Sequence, residues 1–553
     1  MVLTDKIANL IEQALEKAQN EGVLPASEIP ESKIERPQNS EHGDFSTSLP
    51  LKLARTMKMR PIDIAQHMVA FIPECHEISH VEVAPPGFIN FTLASSWLQE
   101  QVNTIIEAGS AFGSNSRNNG KRIQVEFVSV NPTGPIHVGH ARGAVMGSSL
   151  SSILETTGYE VNREYYINDA GNQMDLFFRS LLARYLEIQG KTAEFPEGGY
   201  KGSYMTEIAS DLLREKGDHV PSSVEEGAIE QIGPWSLDRM LSDIENDLKG
   251  IGVVFDSWFS EKSLFESEIY SKTMDILAQK GFLTEKDGAT WFMSSELGED
   301  KDNVVIRGDG SPTYFASDAA YHFNKFLVRG YDKVIDIWGA DHQGHVGRLY
   351  AVLTALGIEP KKLTIIISQL VALKRDGMVV RASKRTGELI TLKELLEEVG
   401  SDACRYFFLT RSPDSQMEFD IDLATRQTQE NPVYYIQYAF ARISGIIRQA
   451  NELGLTDEKS SVEYLSTEEE FQLIRKVLQF PELINLIAET LEPHHLPHYA
   501  LELATTFHSF YDRCRVISDD VLLTNARLRL VRSAEIALKR SLDLMGMNAP
   551  ERM

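Results

Sequence analysis

Apolar residues recur at different spacings along the 553-residue chain, and the changes of spacing divide it into three parts. The N-terminal part mixes helical and strand-like patterns and opens with an amphipathic helix whose apolar residues, from Leu3 to Ala18, share one face. In the middle part strand-like runs alternate with helices, whereas in the last part apolar residues recur every three or four positions. The predicted domains are residues 1–112, 113–430 and 431–553.

The middle part indicates a parallel sheet, because buried strands that alternate with helices lie side by side and are joined by crossover helices. The first strand is followed by a helix that begins near residue 138. A Gly- and charge-rich stretch at about 190–300 interrupts the repeat and is expected to be a helical insertion. The predicted strands are residues 123–130, 159–166, 333–337 and 363–368.

Composition is typical of a soluble globular protein, with 42% hydrophobic and 24% charged residues. No apolar run approaches the roughly 18 residues of a membrane span, and the N-terminal helix lacks the pattern of a secretion signal. Three widely separated cysteines form neither a disulfide framework nor a zinc knuckle. We therefore expect a cytoplasmic protein with no membrane partner. A monomer is also expected.

The formal net charge of −25 argues against a nucleic-acid partner, because proteins that bind nucleic acids usually carry basic surface. Screening limits that repulsion to about 8 Å at physiological salt, so local basic surface can suffice. Charge alone favours a small-molecule enzyme, and the motifs decide against that choice. Basic residues near the C-terminus are Arg527, Arg529, Arg532, Lys539, Arg540 and Arg552.

The most informative motif is the run NPTGPIHVGHARG, residues 131–143, between a predicted strand and a predicted helix. Gly134 and Gly139 fit a turn that approaches a ligand closely, since glycine has no Cβ. His137 and His140 lie three residues apart and share one face of a helical first turn. Two imidazoles beside a helix N-terminus can hold phosphate. Two capped or solvated histidines are the alternative interpretation.

A second loop, VRASKRTG at residues 380–387, places Lys384 between cationic neighbours. Alone, such a loop is typical of a solvated turn. In this order, the two runs resemble the HIGH and KMSKS signatures of class I aminoacyl-tRNA synthetases, and Ser383 and Lys384 match the second signature. The positions that depart from it are Arg381, Ala382 and Arg385.

Further runs of distinctive sequence are spread from one end of the chain to the other. They are EHGDFSTSLPLKLA (41–54), VAPPGFINFTL (83–93), REYYINDAGNQ (163–173), DGSPTYFASDAAYH (309–322), WGADHQGH (338–345) and NPVYYIQYAFARISGI (431–446). Together these runs resemble the arginyl-tRNA synthetase family. The resemblance implies an α/β fold: a Rossmann-type parallel-sheet catalytic domain with an insertion, an α+β N-terminal domain and an all-α C-terminal helix bundle. It also implies ATP-dependent ligation of L-arginine to tRNA(Arg) through arginyl-adenylate, with Mg²⁺ in the ATP complex and no tightly bound metal.

By the same resemblance, three residues are expected to be catalytic. His137 and His140 contact the ATP phosphates as charge builds at the α-phosphorus, and Lys384 reaches the β,γ-phosphates from its loop. Gly139 leaves room for the adenine or the ribose. The expected ATP-binding residues are Pro132, His137, Gly139, His140, Ser383 and Lys384.

Arginine requires carboxylates, because its guanidinium is always charged and favours bidentate partners. Tyr314 and Asp318 are four residues apart on a predicted helix and match the pair that faces the guanidinium in the family, although an ordinary exposed helix face is the alternative. By resemblance, Glu126 joins Asp318, while Ser129 and Asn131 hold the α-amino and carboxylate groups. One further contact is expected among Asp341, His342 and Gln343, with His342 favoured.

The helical C-terminal part resembles an anticodon-binding domain, and the N-terminal part resembles a domain that contacts the outer corner of tRNA. The aromatic run at residues 507–516 is suited either to stacking on bases or to core packing. The expected tRNA-binding residues are Tyr435, Tyr438, Arg442 and Met553.

Two other functions share parts of this pattern. A nucleotidylyltransferase shares the turn with two histidines but has no need of the helical region at 431–553. A catalytically inactive synthetase relative, acting as a binding module, would have no reason to keep His137, His140 and Lys384 together.

Overall fold

The computed structural model of the chain describes residues 3–553 apart from 29, 31, 38, 222–226, 381–388 and 456–461. Two expected site residues, Ser383 and Lys384, therefore lie outside the described residues. In the part that is described, no helix has both the length and the apolar character to cross a membrane.

The N-terminal region is a four-stranded antiparallel sheet packed against helices. Its elements are α1 (Leu3–Asn20), β1 (Ile34–Glu35), β2 (Phe45–Thr47), α2 (Leu49–Met57), α3 (Pro61–Val69), β3 (Ile78–Ala84), β4 (Phe88–Leu93) and α4 (Ser95–Ala108). The strands pair in the order β1-β2-β4-β3. The apolar face predicted for α1 is buried, with Ile7, Ile11 and Leu15 inaccessible to solvent. This region has the α+β character predicted from the sequence.

A five-stranded parallel sheet lies at the centre of the molecule. In chain order the central elements are β5 (Arg122–Glu126), α5 (Val138–Thr156), β6 (Glu160–Ile167), α6 (Asn172–Ile188), α7 (Ser203–Lys216), α8 (Ala228–Gly250), β7 (Ser257–Ser260), α9 (Lys262–Glu266), α10 (Ile269–Gln279), β8 (Leu283–Lys286), β9 (Ala289–Phe292), β10 (Asn303–Ile306), α11 (Tyr314–Phe323), β11 (Lys333–Gly339), α12 (Val346–Leu356), β12 (Leu363–Ser368), β13 (Val371–Arg375), β14 (Met378–Val380), α13 (Leu392–Val399), α14 (Ser401–Leu409), β15 (Met417–Asp420) and α15 (Ile421–Thr425). The parallel strands run in the order β12-β11-β5-β6-β7. The parallel sheet predicted from the alternation of strands and helices is confirmed.

The stretch at 190–300 is not a purely helical insertion, and that expectation is wrong. It contains α7 and α8, but β7 pairs with β6 and extends the central parallel sheet. The same stretch supplies β8 and β9, which form an antiparallel sheet with β10. A four-residue strand of intermediate burial gives too short an apolar run to stand out in the sequence.

Four long helices form the C-terminal region, as the apolar spacing predicts: α16 (Pro432–Glu452), α17 (Glu468–Thr490), α18 (His495–Arg513) and α19 (Val521–Met545). Buried residues at three- and four-residue spacing bring them together in one core. Ion pairs join this bundle to the N-terminal region, since Arg475 contacts Asp44 at 2.6 Å and Glu482 binds Arg36 through two nitrogens. The N-terminal region and the C-terminal bundle are therefore in direct contact.

Candidate active site

The expected site residues gather where neighbouring parallel strands end. β11, β5, β6 and β7 are consecutive in the sheet, so the segments that follow their carboxyl ends emerge at one edge. Open parallel sheets bind ligands at this edge. The segment after β5 carries the turn with two histidines, and the segments after the other three strands supply acidic and histidine side chains.

The segment after β5 leaves the sheet earlier than predicted. The strand ends at Glu126 instead of continuing to Val130, because Val128 and Ser129 adopt φ values of 69° and 45°. Left-handed conformations are costly for a β-branched residue and persist only where the surroundings impose them. Here the Ser129 hydroxyl oxygen accepts a hydrogen bond of 3.0 Å from the Tyr166 backbone N–H. The expected arginine-binding residue Ser129 is thereby fixed to β6.

The two histidines stand side by side at the start of α5. His137 is the residue before the first helical turn, and His140 Nδ1 accepts a long hydrogen bond, 3.4 Å, from the His137 backbone N–H. The ring centroids are 5.5 Å apart. Burial lowers the pKa of both imidazoles, that of His140 to about 4, so both rings are neutral at pH 7. Each neutral ring offers one N–H donor, and His137 Nδ1 is buried with no hydrogen-bond partner in the described structure.

The two glycines of the turn have different surroundings. A Cβ atom on Gly139 would meet no other atom within 4 Å, which leaves open space beside the histidines. A Cβ on Gly134 would lie 3.3 Å from the Tyr204 hydroxyl oxygen, and Tyr204 donates a hydrogen bond of 2.6 Å to the Thr133 carbonyl oxygen. The close approach at Gly134 is therefore made by α7, while Pro132 is buried beneath the turn.

Asp318 and Tyr314 lie one turn apart on α11, as their spacing predicts. The Asp318 carboxylate forms no ion pair with any described residue, although Arg348 and His342 lie within electrostatic range. Burial raises the pKa of Asp318. Tyr314, one turn before Asp318 on the same helix, is 49% exposed and therefore open to a ligand. An unpaired carboxylate in this position is suited to a cationic substrate.

Glu126 and Asn131 frame the segment after β5. Glu126 ends the strand, is 6% exposed, and accepts a hydrogen bond of 2.6 Å from Lys325 Nζ. Asn131 donates through its side-chain amide to the Gln173 amide oxygen at 2.5 Å. The partner of Glu126 is a buried lysine that the sequence motifs did not single out.

Glu261 is an acidic residue of this edge that the motifs also missed. It follows β7 directly, is 4% exposed, and forms no ion pair among the residues described. With its amide oriented to suit its neighbours, Asn168 donates a hydrogen bond of 2.8 Å to Glu261 Oε2. Burial, together with the nearby carboxylates of Asp318 and Asp169, raises the pKa of Glu261 to about 7. Its position could have been inferred only if β7 had been recognised as a strand.

The segment 340–345 connects the histidine side of the site with the acidic side. The charge of Asp341 opposes the fall in the pKa of His140, whereas His342 opposes the rise in the pKa of the Asp318 carboxyl. His342 is exposed and packs its ring against Trp338, with the centroids 6.1 Å apart. Among the three positions considered for the further arginine contact, His342 is thus the one with an electrostatic link to Asp318.

Arg142 is a third residue that the motifs did not mark, although it lies within one of them. Its guanidinium is fully buried and donates to four backbone carbonyl oxygens with no carboxylate partner in the described structure. One of these oxygens belongs to Gln369, between β12 and β13, so Arg142 holds α5 against the entrance to β13. The four accepting carbonyls are those of Gln369 (3.1 Å), Arg411 (3.3 Å), Ser412 (2.7 Å) and Ser415 (2.8 Å).

Three of the four expected tRNA-binding residues lie together on the C-terminal bundle. The Arg442 guanidinium lies 4.7 Å from the ring centroids of both Tyr438 and Tyr511, and Tyr435 packs against His508. The aromatic run at 507–516 divides between the two interpretations, since its phenylalanines are buried core residues while Tyr511 is 37% exposed. Met553 is 56% exposed at the chain end.

Metal ligands are not concentrated anywhere in the described part of the chain. No group of three or more His, Cys, Asp or Glu residues in that part is placed to hold a metal ion.

Comparison with family models covers nearly the whole chain. The model described as "tRNA synthetases class I (R), catalytic domain" matches residues 101–410. The model "Arginyl tRNA synthetase N terminal domain" matches residues 5–93, and "DALR anticodon binding domain" matches residues 436–553.

Relatives and a solved structure agree with these matches. The arginine–tRNA ligase of Dehalococcoides mccartyi strain CBDB1 is 50% identical, covering 100% of this chain and 99% of the relative. That of Carboxydothermus hydrogenoformans is 46% identical with the same coverage. The Thermus thermophilus arginyl-tRNA synthetase structure has the same fold, with a TM-score of 0.77 at 22% identity over 99% of this chain and 100% of that one. The chain therefore belongs to the arginyl-tRNA synthetase family of class I aminoacyl-tRNA synthetases.

Proposed function

We propose that the chain ligates L-arginine to tRNA(Arg) in two ATP-dependent steps at the edge of its parallel sheet. A carboxylate oxygen of arginine attacks the α-phosphorus of ATP, and the bond to the bridging oxygen breaks, so that pyrophosphate leaves. The 2′-hydroxyl of the terminal adenosine of tRNA then attacks the arginyl carbonyl carbon, and AMP leaves. The observation that carries the proposal is an unpaired carboxylate, Asp318, on the acidic side of the same sheet edge at which two neutral imidazoles begin α5.

His137 and His140 would act as hydrogen-bond donors to the ATP phosphates. The start of α5 adds free backbone N–H groups and the positive end of the helix dipole. Because burial lowers the pKa of both rings, they enter the reaction neutral, and charge developing on phosphate oxygens would strengthen their donation. The ATP-binding set remains Pro132, His137, Gly139, His140, Ser383 and Lys384, with Lys384 as the third catalytic residue.

The substrate guanidinium would be held by the acidic side of the site. Asp318 and Glu261 both lack an ion pair among the described residues, so a cationic ligand would supply the charge that burial leaves unbalanced. Bidentate pairing of guanidinium with carboxylate gives arginine an advantage over lysine. The proposed arginine-binding residues are Glu126, Ser129, Asn131, Tyr314, Asp318 and His342, joined by Glu261.

Mg²⁺ would enter as part of the MgATP substrate. The described side chains offer no cluster of ligands for it, and Mg²⁺ bound to nucleotides takes much of its coordination from phosphate oxygens and water. On the tRNA side, Tyr435, Tyr438 and Arg442 would present stacking surfaces to the anticodon loop, with Met553 nearby at the chain end.

The test is aminoacylation with single amino acids. Purified full-length protein, MgATP and total tRNA should release pyrophosphate and form charged tRNA when arginine is supplied. Lysine carries the same charge without the planar fork of donors, and glutamine has neither, so both should give at most a small fraction of the arginine rate. Equal rates with lysine would contradict an arginine pocket built on Asp318.

Arginine binding is expected to depend on pH through Glu261. Its pKa of about 7 means that the carboxyl is half protonated near neutral pH in the free protein. The groups that face it are Asp318 from α11, Asp169 after β6 and Tyr166 within β6. A cation favours the ionised form, so arginine affinity should rise between about pH 6 and about pH 8, and binding should release protons.

Calorimetric titration of arginine in buffers of different ionisation enthalpy measures this proton release directly. Glu261→Gln should remove the release and weaken binding at the upper end of that range. The matched control is Glu266→Gln, which changes an exposed acid five residues away and should leave both unchanged. Proton release that persists in the Glu261 variant would assign the pH dependence to another group.

A further inference from the structure

Lys325 is a fully buried lysine directly behind the acidic side of the site. It lies in a single π-helical turn, Asn324–Val328, that follows α11. Its ammonium nitrogen donates to Glu126 Oε2 at 2.6 Å and to Asp336 Oδ1 at 2.8 Å. The same nitrogen lies 4.1 Å from the centroid of the Tyr321 ring. The ammonium group is thus enclosed by two carboxylates and an aromatic face.

A second set of contacts ties this lysine to the neighbouring helix. Asp336, on β11, uses its other oxygen, Oδ2, to contact His322 Nε2 at 2.8 Å. His322 Nδ1 in turn lies 2.8 Å from the backbone carbonyl oxygen of Asp318. A continuous line of polar contacts therefore runs from Glu126 through Lys325, Asp336 and His322 to the backbone of Asp318. It joins the Glu126 carboxylate to the backbone of Asp318, the residue whose carboxylate is also expected to face the substrate guanidinium.

We propose that Lys325 is a positioning residue for arginine binding, which keeps Glu126 ionised and fixed with its second carboxylate oxygen available to the substrate. The inference rests on the proposed arginine-binding role of Glu126. Lys325 occupies Glu126 Oε2, and Oε1 forms no hydrogen bond with any described residue. One oxygen is therefore held by the protein, and the other remains for a hydrogen-bond donor of the bound substrate.

The electrostatics explain why Glu126 needs this counter-ion. Burial raises the pKa of the Glu126 carboxyl, the charge of Asp336 raises it further, and the Lys325 ammonium opposes both. For Asp336, Lys325 and His322 outweigh burial and hold the pKa at about 2. The phenols of Tyr166 and Tyr321 also face Glu126. Without Lys325, two buried acids would share one site with no ammonium, and Glu126 would take up a proton.

Stability alone does not account for these groups. A buried ion pair contributes little net stability compared with apolar side chains of similar volume, because both charges lose their hydration. Directly after α11, a π-helical turn replaces regular α-helical hydrogen bonding at the residue that reaches Glu126, and such turns are frequent at functional sites. An apolar residue in a regular helix would fill the same space more simply.

A double-mutant cycle on the full-length enzyme tests the proposal. The variants are Glu126→Gln, Lys325→Met and the two together, with the KM for arginine, the KM for ATP and the pH profile of kcat/KM measured in aminoacylation. Lys325→Met should raise the KM for arginine about tenfold or more and shift the acidic limb of the profile to higher pH, while the KM for ATP stays within about twofold. Because the lysine acts through Glu126, the double variant should resemble Glu126→Gln alone.

The matched control is Lys333→Met, which changes a half-buried lysine. Lys333 is the first residue of β11 and lies at the end of the strand away from the site, so the KM for arginine should stay unchanged. An unchanged KM for arginine in folded Lys325→Met would overturn the proposal. So would a double variant whose rise in the KM for arginine equals the product of the rises in the two single variants. If Lys325→Met does not fold, the comparison of Glu126→Gln with the double variant decides by the same criterion. Wild-type enzyme that fails to prefer arginine would instead refute the proposed function.

Discussion

Replacement of His137 by alanine is expected to slow aminoacylation about 100-fold in kcat with little change in the KM for arginine. A donor aimed at charge that develops in the transition state stabilises that state more than the bound substrate, and removal of one such donor costs about two orders of magnitude. His137 is the cleaner target of the two histidines, because its Nδ1 has no hydrogen-bond partner among the described residues, whereas His140 Nδ1 accepts from the His137 backbone N–H at the start of α5. Pyrophosphate release in the presence of tRNA measures the effect.

The matched control for this variant is His494→Ala. His494 is also a half-buried histidine with an unpartnered Nδ1, and it lies at the start of α18, far along the chain from the site. Its removal should leave kcat unchanged. A His137 variant that keeps the wild-type kcat, or that loses activity only through a higher KM for arginine, would remove this imidazole from the phosphate site.

Asp318→Asn should weaken arginine binding roughly 100-fold, seen as a higher KM for arginine, while the KM for ATP stays close to that of the wild type. The amide keeps the shape of the side chain but removes the charge that pairs with the guanidinium. Because Asp318 has no ion pair in the described structure, the substitution strands no partner inside the protein. Burial already disfavours the charged form, so the free energy of unfolding should not fall.

Asp309→Asn serves as the control for Asp318, since it alters an exposed aspartate of the turn before α11. The KM for arginine should be unaffected there. A comparable rise in the KM for ATP and for arginine in the Asp318 variant would indicate general damage to the site. Unaltered arginine affinity would show that the guanidinium binds elsewhere.

The sequence predicted the elements whose patterns are long or strongly marked. The bundle helices, the amphipathic α1 and the strands β6, β11 and β12 all follow from apolar spacing, because packing against a single core imposes that spacing on the chain. The motifs also led to Asp318 and to the paired histidines, since close spacing within one turn determines which side chains adjoin. The family resemblance then assigned roles that spacing alone could not.

Other site residues could not be predicted, because their partners are remote along the chain. Lys325 reaches Glu126 across 199 positions, and a lone lysine in a helical pattern looks like an ordinary surface residue. Glu261 depends on β7, whose four residues give no clear alternation. The early end of β5 follows from left-handed conformations at Val128 and Ser129, where neither residue type favours such backbone angles.

Arg142 binds main-chain oxygens only, and this choice of acceptor has an evolutionary consequence. Carbonyl groups are present whatever amino acid occupies a position, so the four residues that receive these hydrogen bonds can be exchanged without loss of the acceptors. Selection therefore acts mainly on the arginine itself. The loops that supply the carbonyl oxygens, between β12 and β13 and between α14 and β15, are free to change in sequence. Related sequences should accordingly show wide variation at positions 411–415 alongside an invariant arginine at 142.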